Sequence, residues 1–60
     1  MNKIRKFRKQ NNMTAKELSN ILGISRSYLS MIEIGKRKPN LDLAFKMAKL
    51  IGCHVEDLFF

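Results

Sequence analysis

The sequence predicts an all-α fold, a compact five-helix domain built around a helix-turn-helix. Three observations carry that expectation. Apolar residues recur at helical spacing in five segments, capping and turn residues punctuate them, and no segment shows a clear strand alternation. The 60 residues fit a single domain spanning 1–60, and a chain of that size buries only about 60% of the surface its unfolded form exposes. An apolar share of 45% is too high for a disordered tail.

The first helix is amphipathic, with Ile4 and Phe7 on one face among Lys3, Arg5, Lys6, Arg8 and Lys9. Gln10, Asn11 and Asn12 stop it, Asn12 being suited to the left-handed conformation just past a helix end. Thr14-Ala15-Lys16-Glu17 has the form of a capping box and starts the second helix. There Leu18, Ile21 and Leu22 are expected to bury one face, and Gly23 turns the chain. Ser25 caps a third helix running to about Glu33, with Leu29 and Ile32 facing inward, and Gly35 ends it.

Lys36-Arg37-Lys38-Pro39 reads as a loop, since Pro39 has no amide donor and keeps Lys38 out of the α region. Asn40 caps the fourth helix. Leu41, Ala44, Phe45, Ala48 and Ile51 form its stripe, and Leu43, Met47 and Leu50 widen it until burial on nearly all sides is expected. Gly52 terminates that helix, and Val55, Leu58 and Phe59 mark a short fifth.

The helix-turn-helix follows from spacing. Counted from Ala15, apolar residues fill the fourth, eighth, tenth, fifteenth and eighteenth positions (Leu18, Leu22, Ile24, Leu29, Ile32), with Gly23 ninth and Ser19 fifth. Two short helices crossing at about 90–120° need a tight turn at the ninth position and a small side chain where backbones approach.

Charge points to the partner. The net charge of +7 is unevenly placed: up to Lys38 there are ten Lys and Arg against two Glu, and beyond it two against three acids. A merely solubilising surface would intersperse its signs, so a polyanion is expected. Other classes lack material. One Cys and one His adjacent in sequence give neither a disulfide nor a four-ligand zinc site, and no metal or cofactor is expected. They give no catalytic triad either, and so small a core leaves little room for a water-excluding pocket, so no enzyme is expected. Met1 to Lys9 lacks the apolar run of a secretory signal, no charge-free stretch spans a bilayer, and a first helix with only Ile4 and Phe7 binds membranes poorly. A cytoplasmic location follows.

Thr14 to Pro39, with Leu-Gly-Ile-Ser-Arg-Ser-Tyr-Leu-Ser at 22–30 and Ile-Glu-Ile-Gly-Lys-Arg-Lys-Pro at 32–39, resembles the phage-repressor and Cro (Xre) helix-turn-helix family, with its lambda-repressor-like DNA-binding fold. The resemblance implies a third helix docked in the DNA major groove, usually within a two-fold dimer on a palindromic operator. Arg26, Ser27, Ser30 and Met31 are then the base-reading positions. Arg26 suits a bidentate guanine contact, with a phosphate contact as its alternative, and Met31 suits a thymine methyl. Phosphate contacts are expected from Thr14, Ala15, Tyr28, Lys36, Arg37 and Lys38, and for Tyr28 plain core packing stays open. Family members commonly carry Gln where Ala15 stands, so only a backbone N–H and the helix dipole remain there. Arg8 and Glu33 match family positions that form an ion pair between the first and third helices.

The expected function is thus a sequence-specific, double-stranded-DNA-binding transcriptional regulator, a repressor, with no small-molecule ligand. Its homodimer is expected to use Val55, Leu58, Phe59 and Phe60. The competing reading is an antitoxin or other protein-interaction module whose DNA binding is secondary.

Overall fold

The computed structural model describes residues 3–59, which form α1 (Lys3–Gln10), α2 (Ala15–Leu22), α3 (Arg26–Glu33), α4 (Leu41–Ile51) and α5 (Val55–Phe59). No strand occurs among the described residues. Helices of eight residues are marginal in isolation, so their ends matter. Asn12, at φ 54°, ends α1: its N–H donates to the Lys9 carbonyl at 3.2 Å and the Met13 N–H to the Arg8 carbonyl at 2.9 Å. This paired closure satisfies carbonyls that the last turn leaves open.

The capping box at the start of α2 is complete. The Glu17 N–H donates to Thr14 Oγ1 at 3.1 Å, and the Thr14 N–H donates to Glu17 Oε1 at 2.8 Å. Gly23, at φ 72°, repeats the closure, with the Ile24 N–H donating to the Ser19 carbonyl at 3.0 Å. A side chain at that φ costs roughly 1–2 kcal/mol, which is why glycine suits the turn. Ser25 Oγ then accepts the Tyr28 N–H at 3.1 Å and starts α3, and Asn40 Oδ1 accepts the Leu43 N–H at 2.9 Å to start α4.

Every helix contributes to one core: Ile4 from α1, Leu18 and Leu22 from α2, Leu29 and Ile32 from α3, Leu43, Met47 and Ala48 from α4, and Leu58 from α5. Ser19 is buried at 2% exposure, and its hydroxyl donates to the Lys16 carbonyl at 2.9 Å. A small hydroxyl residue is therefore tolerated inside without an orphaned polar atom.

Two packing expectations are corrected. Ile21 does not join the buried face of α2, being 50% exposed. The inward face is centred on Leu18, Ser19 and Leu22, with Ala15 half-buried. It is rotated toward the small side chains, where neighbours can approach closely. Nor is α4 buried on nearly all sides: Leu43, Ala44, Met47 and Ala48 face inward while Leu41, Phe45 and Leu50 are 64%, 57% and 38% exposed. Packing α4 on α1, α2 and α5 uses its alanine-lined side, and among the described residues Leu41, Phe45 and Leu50 stay exposed on the other. Ile21, Leu22, Lys46, Lys49 and Leu50 consequently line an open groove of about 250 Å³.

Removing the α2 cap with Thr14→Ala should lower stability by about 1 kcal/mol in urea denaturation. The Thr14 backbone N–H first, and its side chain second, hold the Glu17 carboxyl below its ordinary value. A depressed folded value stabilises above the unfolded carboxylate range of about 4 and fades as pH falls through the folded value. Glu17→Gln should therefore lose less stability on acidification than the unaltered chain.

Candidate nucleic-acid interface

Burial divides α3 cleanly. Leu29 and Ile32 are fully buried and Glu33 is 5% exposed, while Arg26, Ser27, Ser30 and Met31 all face solvent. A helix anchored by adjoining inward residues has little freedom to roll, so the outward side chains keep a fixed array. Arg26 and Ser27 occupy its first turn, directly after the Ser25 cap.

Arg8 fixes α3 from α1. Its Nε donates to Glu33 Oε2 at 2.8 Å and its Nη2 to Glu33 Oε1 at 3.1 Å, forming a bidentate fork across 25 residues of sequence. Its Nη1 also donates to the Met13 carbonyl at 3.2 Å. The hydrogen bond to Glu33 raises the Arg8 pKa, outweighing the desolvation that lowers it. The ion pair expected from the resemblance is therefore present.

The loop after α3 carries Lys36, Arg37 and Lys38, all exposed. The Lys36 and Arg37 N–H groups both donate to the Met31 carbonyl, at 2.9 and 3.3 Å, folding the loop back onto α3. The Arg37 guanidinium lies 5.8 Å from the centre of the Tyr28 ring. Tyr28 is half-buried and packs against the core. Three exposed cations on the loop thus follow a helix whose exposed face carries a fourth, Arg26.

A helix-turn-helix family model matches residues 4–58. The chain is 45% identical over 58 residues to an uncharacterized HTH-type transcriptional regulator of Methanocaldococcus jannaschii, covering 97% of this chain and 88% of that one. Similar regulators of Archaeoglobus fulgidus and Methanothermobacter thermautotrophicus are 40% and 37% identical, covering 95% and 93% of this chain and 81% and 83% of theirs. The chain belongs to the Xre helix-turn-helix family of transcriptional regulators.

Within this Xre frame, Thr14 is exposed and Ala15 half-buried at the start of α2. The Thr14 N–H is already used by Glu17. Lys3, Lys6 and Lys9 are exposed and Arg5 half-buried along α1. Leu58 does not offer a dimer surface: it is 4% exposed and belongs to the core. Val55 is half-buried against that core, while Phe60 and the Phe59 side chain lie outside the described residues. No cluster of three or more metal-ligating side chains occurs among the described residues, and no described helix is long and apolar enough to cross a membrane.

Three features escaped the sequence reading. The Arg8 bond to the Met13 carbonyl, the Arg37 contact with Tyr28, and a 3.5 Å bond from Lys46 Nζ to the Leu22 carbonyl at the end of α2 join residues with no shared periodicity. Only the last has a general signal, a lysine satisfying a helix C-terminus.

Breaking the Arg8–Glu33 fork exposes its energetics. Arg8→Ala leaves a carboxylate with side-chain exposure of 7% unpaired, at a cost of about 3–5 kcal/mol. Domains this small rarely net more than ~3–5 kcal/mol, so circular dichroism should find that variant largely unfolded at 25 °C. Pairing Arg8→Met with Glu33→Leu should recover most of the lost melting temperature, because no buried charge is then orphaned.

Proposed function

We propose that the chain is a sequence-specific, double-stranded-DNA-binding transcriptional repressor that inserts α3, about residues 26–33, into the major groove of a near-palindromic operator. The supporting observation is the exposed face of Arg26, Ser27, Ser30 and Met31 on a helix whose opposite face is fully buried. Arg26 bonds guanine O6 and N7, the serines accept several bases, and Met31 meets a thymine methyl. Lys36, Arg37 and Lys38, with Thr14 and the Ala15 N–H, take phosphates and set register. The protein acts in the cytoplasm without a small-molecule effector.

A two-fold dimer places the reading helices about 34 Å apart, one turn of B-DNA. With Leu58 turned inward, the contact draws on the C-terminal Val55, Phe59 and Phe60, joined by Leu41 and Phe45, which are 64% and 57% exposed. A protein-interaction module with secondary DNA binding is the second reading, favoured by exposed Ile21 and Leu50 beside Lys46 and Lys49. Copurification of a stoichiometric partner from the native host distinguishes it.

Selection from a random DNA pool supplies the best site. On it, Arg26→Ala should cost ~1–3 kcal/mol and relax preference at one base pair per half-site, with much less loss on random DNA. Equal losses on both would make Arg26 a backbone contact. Lys38→Ala should weaken all sequences alike and reduce the slope of log affinity against log salt by about 1.

Phe45→Ser should yield monomers in sedimentation that keep their helical spectrum. A persistent dimer would place the contact away from α4.

A further inference from the structure

Arg37 is held to α3 at two points. Its N–H donates to the Met31 carbonyl at 3.3 Å, and its guanidinium returns over the Tyr28 ring at 5.8 Å from the centroid. The two anchors differ in rigidity. Tyr28 is half-buried, packs against the core and donates its own N–H to the Ser25 cap at 3.1 Å, whereas Arg37 is exposed.

A guanidinium within about 6 Å of a ring centroid is attracted by the negative face of the ring. Its five N–H donors lie in its own plane, so attraction to a ring does not use them up. An arginine held this way also loses less rotamer freedom when it meets a phosphate than one sweeping through solvent. The ring is a fixed part of α3, so the cation travels with the reading face.

We propose that Tyr28 is a positioning residue for Arg37: its ring, and not its hydroxyl, holds the guanidinium against α3 so that Arg37 meets a backbone phosphate when α3 enters the groove. This rests on the DNA-binding function proposed above. It replaces the expected hydroxyl-to-phosphate contact of Tyr28 with an indirect role carried by the aromatic face.

The test uses Tyr28→Phe, Tyr28→Leu, Arg37→Ala and the combination of the last two. In the free protein, NMR should find Arg37 side-chain methylene protons shifted upfield by the ring current, a shift kept in Tyr28→Phe and lost in Tyr28→Leu. On DNA, Tyr28→Phe should retain affinity and salt slope. Tyr28→Leu should weaken operator and random DNA alike by about two- to fivefold, and should add nothing once Arg37 is already alanine.

A phenylalanine variant as weak as the leucine variant would overturn the proposal, since the hydroxyl would then be the contact. Additive losses from Tyr28→Leu and Arg37→Ala would also overturn it. Should the leucine variant melt early, the absence of a ring-current shift in the unaltered chain decides against the proposal by itself. An unaltered chain that binds no DNA sinks the proposed function as well, whereas DNA binding with additive losses sinks only this inference.

Discussion

The guanidinium of Arg8 joins three pieces of backbone. It stands on α1, bonds the Met13 carbonyl just before the α2 cap, and grips Glu33 at the end of α3. Helix α1 packs chiefly on α4 and α5, so apolar contact alone gives it limited hold on α3. A bidentate fork supplies orientation that greasy contact lacks, because two parallel N–H···O bonds fix direction as well as distance. Side-chain exposures of 16% and 7% put the pair where desolvation offsets much of its attraction. Its contribution is geometry more than net stability.

Around that joint, the path of the chain is set by helix ends. Asn12 and Gly23 both adopt the left-handed conformation, and Gly35 and Gly52 repeat it after α3 and α4. Thr14, Ser25 and Asn40 each accept an N–H from the residue three places on. With helices of eight residues, a start or stop displaced by one position would rotate the inward face by a large fraction of a turn. The caps therefore decide which residues reach the core, and they are why Leu29 and Ile32 point inward while Ser27, Ser30 and Met31 point out.

Those local devices are also what the sequence states openly. The stop of α1, the starts and stops of α2, α3 and α4, the capping box and the tight turn depend on residues within a few positions of each other. What periodicity does not decide is which apolar residues go inside when there are more of them than the core holds. Leu41, Phe45 and Leu50 on α4 are as apolar as Leu43 and Met47, and only the close approach allowed by Ala44 and Ala48 selects the buried side. Leu58 fails in the other direction, since a C-terminal cluster looks like spare surface until α5 folds back over the core. The fork between Arg8 and Glu33 spans 25 residues, so only family resemblance pointed to it. The exposed face of α3 was legible because it is the complement of Leu29 and Ile32, but the Arg37 contact with Tyr28 depends on how the loop folds back.

A domain of this size has a small margin of stability, and that bears on how the proposed function works. A domain that small rarely nets more than ~3–5 kcal/mol, which leaves little for disordering a loop or tilting a helix on meeting DNA. The cations must already be placed: Lys36 and Arg37 are tied by their amides to the carbonyl of Met31, a residue of the reading face itself. Association then stabilises the fold in turn, since a ligand bound only by the native state adds about 2.7 kcal/mol at a hundredfold excess over Kd. That gain is comparable to the whole folding margin. In the proposed function, recognition and folding are accordingly coupled through the same helix, because Glu33, which holds α3 in place through Arg8, sits one turn beyond Ser30 on it.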